Sequence, residues 1–278
     1  MAGNRRTGAA TQSRTRAKAP LLLVAGVGMA AVAELRTVAL LVRHFDVLVF
    51  RAGHPRAASP STLIRRLAAD AVRLLDDAGA RAAHVYGLSF GGMVAQELAF
   101  RDAERVRSLV LGATSAGGAL RTPPDDRAGE FLSRRAQMPV DEGLWAAVPY
   151  SYALRTRRRR AERIGEDIAA RRRHPVDSAH HAIQRRAAMG HDAGERLHAI
   201  SVPTLVVHGE QDRLVPPANG RALAASITGA RLVVAQDAAH VYPTDAPEVD
   251  AEIVRFLLEQ PVRAPRRTRS GSARAARA

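Results

Sequence analysis

The sequence predicts an α/β fold: a doubly wound, mostly parallel sheet with helices on both faces and a helical cap inserted after the fourth recognisable strand. Three observations carry this prediction. Short apolar runs alternate with amphipathic segments of helical periodicity, the pattern of strand–helix–strand units. The runs are continuously apolar, which indicates strands buried on both faces of a parallel sheet. A polar, helix-forming stretch at 119–198 interrupts the alternation once.

The first strand is predicted at 21–25 (LLLVA), and it runs into the tight loop Gly26-Val27-Gly28. A helix over 32–42 and a second strand over 46–50 (DVLVF) follow. Ser61 or Thr62 is expected to cap the next helix, because small hydroxyl side chains accept from the first free helical N–H groups. The apolar face of that helix comprises Leu63, Leu67, Val72, Leu74 and Leu75.

The stretch 84–98 (HVYGLSFGGMVAQEL) predicts a strand, a sharp turn and a helix, with Ser89 at the apex of the turn. Gly87 and Gly91 flank this serine in the pattern G-x-S-x-G. Such a turn needs neighbours without a Cβ atom, because the strand and the helix approach each other closely. It would expose the Ser89 hydroxyl where the first helical N–H groups face developing negative charge. In this context the motif predicts a catalytic nucleophile rather than a glycine-rich turn.

Three further strands are predicted at 107–111, 203–208 and 230–235, with helices over 217–227 and 248–258. Serine is a poor nucleophile without a base, so a histidine and a carboxylate are expected at the carboxyl ends of these strands. Asp212 and His240 follow the last two strands closely. The order Ser89, Asp212, His240 is the one that accompanies this type of turn.

Other titratable residues are weaker candidates. Glu210 and Asp237 compete for the role of the acid, and Asp212 is favoured by its position after the strand. His208 is expected to end a strand beside the site. Since no cluster has the spacing of metal ligands, no metal and no cofactor are expected. The histidines expected on the surface or in packing roles are His54, His84, His174, His180, His181, His191 and His198.

Four segments, GLSFGGMVAQELA, RVRSLVLGATSAGG, PTLVVHGEQDRLVPPANG and AAHVYPTDAPE, resemble the α/β-hydrolase-fold serine hydrolases, in their esterase, lactonase and polyester-depolymerase-like branch. The resemblance extends over about 21–258. It implies Ser89 as the nucleophile, His240 as general base and then acid, and Asp212 as the group that orients the imidazole. It also implies an oxyanion hole formed by the N–H groups of Val27 and Phe90.

Two loops depart from the family pattern. Ala25-Gly26 stands where the family often has His-Gly. This chain therefore keeps the backbone N–H donor of the loop but lacks the imidazole behind it. The loop after the second strand reads RAGHPRA rather than R-G-x-G-x-S, so its packing under the active site differs.

The resemblance implies hydrolysis of a small-molecule carboxylic ester, lactone or thioester through an acyl-enzyme. An acyltransferase or perhydrolase would use the same three residues, and a ligand-binding relative with little turnover is the alternative from another class. Haloalkane and epoxide hydrolases are disfavoured, because those relatives carry Asp where Ser89 stands.

The inserted segment supplies the candidate pocket. Met29, Met138, Trp145 and Tyr150, with Tyr152, are predicted to line a substrate pocket; the alternative is that the aromatic residues form the core of the cap. The arginines at 157–160 and 171–173 lie at helical spacing from acidic residues. They indicate either a solvated charged helix or a collar for an anionic substrate.

Charge and composition define the remaining organisation. The formal net charge is +15, of which residues 1–20 and 261–278 carry 11 charges and no acid. These ends lack aromatic residues and any reading module, so disordered tails are expected and specific nucleic-acid binding is not. The absence of cysteine excludes disulfides and thiolate sites. The predicted units are a basic tail (1–19), a core in two parts (20–119 and 199–260), the cap (120–198) and a second basic tail (261–278).

The N-terminal region raises a question of localisation. Arg16 and Lys18 precede an apolar run that ends in Ala31-Val32-Ala33, which is similar to a signal peptide. The same run contains the loop that the oxyanion hole requires, so a cytoplasmic protein is favoured and secretion stays open. No stretch is long enough for a membrane span.

Members of this fold usually begin with a hairpin beside the strand at 46–50, but residues 1–19 show no apolar alternation from which to build one. We therefore expect six parallel strands and an irregular N-terminal segment. The strand at 46–50 would then be an exposed sheet edge, which favours a homo-oligomer or a lower stability, unless the natural chain begins upstream of Met1.

Overall fold

The computed structural model describes residues 18–27, 36–51, 59–175 and 178–260. Within these ranges lies a six-stranded sheet of order β2-β1-β3-β4-β5-β6 in which every neighbouring pair is parallel. All six strands overlap their predicted positions, which confirms the doubly wound α/β class. The strands are β1 (Ala19–Val24), β2 (Phe45–Phe50), β3 (Ala83–Leu88), β4 (Val106–Gly112), β5 (Thr204–Gly209) and β6 (Arg231–Ala235).

Helices connect the strands and cover both faces of the sheet. Six of them, α4 to α9, lie between β4 and β5, in the segment predicted to be the cap. None of the helices in the described residues is long and apolar enough to cross a membrane. The helices are α1 (Arg36–His44), α2 (Pro60–Asp77), α3 (Phe90–Arg101), α4 (Asp126–Arg134), α5 (Val140–Ala146), α6 (Val148–Ser151), α7 (Leu154–Arg159), α8 (Ala161–Arg173), α9 (Ser178–Met189), α10 (Ala218–Ser226), α11 (Tyr242–Asp245) and α12 (Glu248–Glu259).

The sheet separates two apolar cores. Alternate side chains of β1 belong to different cores, because successive residues of a strand point to opposite faces. Leu22 and Val24 pack with α2, α3 and α10, whereas Leu21 and Leu23 pack with α1, α11 and α12. A third, smaller cluster joins the inserted helices to the residue after His240, and it comprises Leu144, Tyr152, Ile164, Ile168 and Val241.

Several element boundaries differ from those predicted by one or two residues, and two helices show the difference most clearly. Helix α1 ends two residues later than the predicted 32–42, and residues 28–35 lie outside the described residues. Neither Ser61 nor Thr62 is the N-cap of α2, because Ser59 occupies that position and Pro60 begins the helix with its favoured fixed φ. The Ser59 hydroxyl bonds to the hydroxyls of Ser61 and Thr62, at 3.0 and 2.9 Å, rather than to a helical N–H.

Strand β2 forms one edge of the sheet, as predicted, and pairs with β1 alone among the described strands. The N-terminal residues 1–17, predicted to be irregular, lie outside the described residues, as do residues 261–278.

Candidate active site

The turn between β3 and α3 holds Ser89 in a backbone conformation that is unusual for a side chain with a Cβ atom. Its φ is 53° and its ψ is −121°. Such conformations cost roughly 1–3 kcal/mol and persist where surrounding contacts fix them. A Cβ atom on Gly87 would lie 2.5 Å from the Gly91 carbonyl oxygen, and one on Gly91 would lie 2.1 Å from the Val24 carbonyl oxygen. Both glycines are therefore required by the close approach of β1, β3 and α3.

The strand β4 and the residues after it hold this turn in place. The Ser89 N–H donates to the Gly112 carbonyl at 2.8 Å, and the Thr114 hydroxyl donates to the Ser89 carbonyl at 2.7 Å. The Thr114 side chain also occupies the space beside Gly92, where a Cβ atom would lie 2.6 Å from it. Thr114 was not among the residues selected from the sequence, since no motif marks it and only its place directly after β4 could have suggested it.

Ser89, His240 and Asp212 are in hydrogen-bond contact across the carboxyl ends of β3, β5 and β6. The His240 Nε2 atom lies 3.1 Å from Ser89 Oγ, and its Nδ1 atom lies 2.8 Å from Asp212 Oδ2. Because parallel strands end at the same edge of a sheet, loops far apart in the chain meet there. These are the three residues that the order of the motifs selected.

Asp212 is held rigidly and in its charged form. Its Oδ1 atom accepts from the N–H groups of Leu214 and Val215, at 2.9 Å each. Burial by itself would raise the pKa of this carboxyl, but the charge and hydrogen bond of His240, together with His208, outweigh burial and lower the pKa to about 2. Asp212 is therefore a carboxylate throughout the neutral range, with its Oδ2 atom directed at His240.

His208 lies beside the site, at the end of β5, as predicted. Its Nε2 atom is 2.8 Å from the Val215 carbonyl oxygen and 3.4 Å from Asp212 Oδ2. Because a carbonyl oxygen only accepts, His208 Nε2 carries the proton, and the same N–H faces the buried carboxylate. His208 thus supports the loop that carries Asp212.

The two rival acids lie elsewhere. Glu210 pairs with Arg221 at 2.7 Å, and Asp237 pairs with Arg155 at 3.0 Å. All four side chains are at least partly exposed, so these are surface ion pairs.

The arrangement can activate the serine hydroxyl. When Asp212 accepts from His240 Nδ1–H, the Nε2 lone pair faces the Ser89 hydroxyl and can take its proton. Phe90 is the first residue of α3, so its N–H has no acceptor within the helix. This N–H lies at the positive end of the helix, and Val27 lines the same cavity as Ser89 and Phe90.

A cavity of about 210 Å³ opens over Ser89 and His240. We call the side formed by Val27, Ser89, Phe90 and His240 its floor. We call the lining residues of the inserted helical segment, from Arg121 to Met189, its roof. In the described residues, no group of three histidine or acidic side chains is placed to hold a metal ion.

The predicted pocket residues do not form the roof. Leu144 lines the cavity, and its helical neighbour Trp145, about 100° further round α5, is directed outward and 52% exposed. Tyr150 stacks on Phe131, with ring centroids 4.8 Å apart, and so lies behind a lining residue. Met138 is half-buried, and it is not one of the lining residues.

The remaining two residues predicted to line the pocket are Tyr152 and Met29. Tyr152 belongs to the small core of the inserted helices, where its hydroxyl donates to Asp167 at 3.0 Å. Met29 lies outside the described residues.

His181 was expected on the surface or in a packing role, but it lines the cavity. Its Nδ1 atom is buried and has no hydrogen-bond partner among the described residues. Burial, and then the nearby charges of Arg135, Arg185 and His180, lower its pKa to about 4. The imidazole is therefore neutral near pH 7. By contrast, His84 is the predicted packing residue, bonded to Ser108 Oγ at 2.8 Å within the core.

Comparisons with known proteins identify the family and the fold. The model of the "Alpha/beta hydrolase family" matches residues 21–251. A protein of Azorhizobium caulinodans, provisionally named carbamate hydrolase RutD, is 32% identical over 84% of this chain and 89% of its own. The poly(3-hydroxyalkanoate) depolymerase of Ectopseudomonas oleovorans is 31% identical over 72% of this chain and 69% of its own. The solved enol-lactonase of Burkholderia xenovorans superposes with a TM-score of 0.74, at 27% identity, over 88% of this chain and 93% of that one.

The family match covers both halves of the core and therefore the loops that carry Ser89, Asp212 and His240. Sequence, sheet topology and relatives thus lead to one conclusion. This chain belongs to the alpha/beta hydrolase family and is a hydrolase.

Proposed function

We propose that the protein is a serine hydrolase that cleaves a carboxylic ester, lactone or thioester through an acyl-enzyme on Ser89. The observation that carries the proposal is the pair of contacts at His240, 3.1 Å to the Ser89 hydroxyl and 2.8 Å to the Asp212 carboxylate. A hydrolase of this fold needs an activated nucleophile, and this is the arrangement that lowers the cost of removing the serine proton.

In the first half-reaction, Ser89 Oγ attacks the carbonyl carbon while its proton passes to His240 Nε2. The tetrahedral intermediate carries negative charge on the former carbonyl oxygen, which the N–H groups of Phe90 and Val27 would stabilise. His240 then returns the proton to the departing alcohol or thiol, and the acyl group stays on Ser89. In a lactone the departing alcohol stays attached to the acyl group.

In the second half-reaction, water attacks the acyl-enzyme with His240 again as the base. The products are the carboxylic acid and the regenerated Ser89 hydroxyl. Asp212 stays ionised throughout, because its role is to fix the imidazole tautomer and to stabilise the imidazolium that forms twice in each cycle.

The names of the similar proteins support ester-type substrates, since they include a lactonase and a depolymerase. The provisional name of the Azorhizobium relative favours a second candidate, a carbamate. A carbamate carbonyl would be attacked by the same serine and stabilised by the same N–H groups.

The test is covalent labelling followed by a substrate panel. A fluorophosphonate probe should label the folded protein once, on Ser89, with peptide mass spectrometry identifying the residue; the Ser89→Ala variant should not be labelled. Esters, lactones, thioesters and carbamates of varied acyl length should then rank by kcat/KM. Absence of labelling on folded protein, or labelling that persists in Ser89→Ala, rejects the proposed nucleophile.

A further inference from the structure

The roof of the cavity carries an unusual concentration of positive charge. Four arginines from the segment between β4 and β5 line it, and no aspartate or glutamate is among the lining residues that the structure describes. All four are partly buried. They are Arg121, Arg135, Arg171 and Arg185.

These arginines are not paired with carboxylates of the described residues. Within the described residues none of the four forms an ion pair, whereas nearby Arg172 binds Asp141 through two hydrogen bonds of 2.7 and 2.8 Å. Arg185 donates to the Leu132 carbonyl, which leaves its positive charge uncompensated. The guanidinium of Arg135 packs directly over Gly143, where a Cβ atom would lie 2.1 Å from its Nη1 atom.

Two pairs of these arginines also affect each other through their charges. Burial, followed by the charge of Arg171, lowers the pKa of Arg135, and burial, followed by the charge of Arg121, lowers the pKa of Arg185. Like charges held together in a partly buried cavity destabilise the free protein, and a bound anion relieves that repulsion. His181, whose Nδ1 atom is buried without a hydrogen-bond partner among the described residues, also lines the cavity.

We propose that the substrate carries an oxyanion, a carboxylate or a phosphate, at a distance from its scissile carbonyl, and that Arg135, Arg171 and Arg185 bind it. The inference rests on the proposed function, because it places the carbonyl at Ser89 on the floor and the anion at the roof of one cavity. Arginine suits this role because its planar fork binds carboxylate and phosphate with two parallel hydrogen bonds.

The volume of the cavity favours a small substrate. Its volume of about 210 Å³ is below the roughly 300–1,000 Å³ of drug-sized ligand sites. Apolar side chains, among them Met93, Phe131 and Leu144, also line the cavity. A short apolar stem joining a carbonyl to an anion fits this layout better than a long neutral acyl chain.

The kinetic test compares esters that differ only in the remote charge. Mono-p-nitrophenyl esters of succinate, glutarate and adipate are set against neutral p-nitrophenyl esters of the same length. Matched phosphonate esters distinguish phosphate from carboxylate. Acetate esters of short hydroxy acids place the anion on the alcohol side. At least one anionic series should exceed its neutral match in kcat/KM by tenfold or more, and the preference should shrink as salt is added.

The roof is tested with three arginine variants, two at Arg135 and one control at Arg158. Arg135→Gln should reduce the ratio of anionic to neutral kcat/KM at least tenfold, mainly through KM, and Arg135→Lys should restore part of it. Arg158→Gln removes an exposed arginine of the same segment and should leave the ratio as in the wild type. Neutral esters hydrolysed as well as anionic ones by a Ser89-labelled enzyme would overturn the anion site and leave the proposed function intact.

Direct binding separates the two proposals when turnover fails. The melting temperature of the wild type should rise with glutarate or inorganic phosphate at constant ionic strength, and that of Arg135→Gln should rise less. Such binding without labelling of Ser89 would reject the proposed function and retain the anion site. No binding and no anionic preference would overturn the anion site.

Discussion

The floor and the roof of the cavity differ in whether their charged groups have partners within the protein. On the floor, the one carboxylate behind His240 is buried, ionised and bonded to two backbone N–H groups and to the imidazole. In the roof, four arginines face the cavity and no carboxylate among the described lining residues balances them. The negative charge behind the floor is therefore compensated within the protein, whereas the positive charge of the roof is not.

The two sides also differ in rigidity. The floor groups stand on turns at strand ends, fixed by contacts such as the one between Gly91 and Val24. The roof groups are the ends of long arginine side chains, which have many rotatable bonds. We therefore expect the floor residues to carry out the chemical steps, which need fixed geometry, and the roof residues to select among substrates.

Removing the nucleophile is the largest change to the floor. Ser89→Ala should lower kcat on the order of 10⁶-fold, because the remaining N–H groups and binding contacts retain only about 10³-fold over water. Stopped-flow and steady-state assays on the best substrate of the panel measure it, with circular dichroism to check folding. A variant that keeps wild-type kinetics would remove Ser89 from the mechanism.

The second change tests the support of His240. Asp212→Asn should lower kcat about 10⁴-fold, since an amide that donates to Nδ1 places the imidazole in the wrong tautomer. Asp237→Asn is the matched control, because Asp237 pairs with Arg155 at the surface. If Asp237→Asn proves the damaging substitution and Asp212→Asn the mild one, the acid has been assigned to the wrong residue.

The floor could be predicted from the sequence because its residues follow local rules. A G-x-S-x-G turn between a strand and a helix fixes Ser89, and loops after parallel strands bring Asp212 and His240 to one edge. No sequence motif predicts the hydrogen bond from the Thr114 hydroxyl to the Ser89 carbonyl.

The roof could not be predicted, because it depends on how the inserted helices rotate as they pack. Trp145 was selected as a large aromatic residue, yet its neighbour Leu144 faces the cavity. The arginine clusters at 157–160 and 171–173 indicate either a solvated charged helix or a collar, and only Arg171 of these lines the cavity. Side-chain direction in a packed helix follows from tertiary contacts, which composition and periodicity do not specify.

Packing beneath the floor gives the third prediction. Gly91→Ala should lower stability by about 1–3 kcal/mol or more, and lower kcat as well, because its Cβ atom would meet the Val24 carbonyl oxygen at 2.1 Å. Gly165→Ala in α8 is the control, since its Cβ atom would meet no other group within 4 Å and alanine favours the helix. Thermal melting compares the two variants, and equal melting temperatures would contradict the close approach of α3 and β1.

Asp250 is a second buried carboxylate, and its surroundings differ from those of Asp212. Asp250 lies in α12, where a single hydroxyl, that of Thr37, lies 3.0 and 2.8 Å from its two carboxyl oxygens. Burial raises the pKa of Asp250 from 3.8 to about 7, with Glu248 adding to the rise. Asp212 is buried as deeply, and its pKa is lowered instead because His240 and His208 face it.

The sign of the pH dependence follows from this difference. Between pH 4 and 7 the unfolded chain releases the Asp250 proton while the folded protein retains it, so stability falls as pH rises through this window and levels off above about 7. Asp250→Asn removes this loss of stability at high pH, and its amide oxygen still accepts a hydrogen bond from the Thr37 hydroxyl. The variant should therefore melt a few degrees above the wild type at pH 8, since about 1 kcal/mol moves the Tm of a chain of this size by about 2–4 °C. At pH 5 the advantage should shrink or vanish, and melting curves that differ equally at both pH values would contradict the raised pKa.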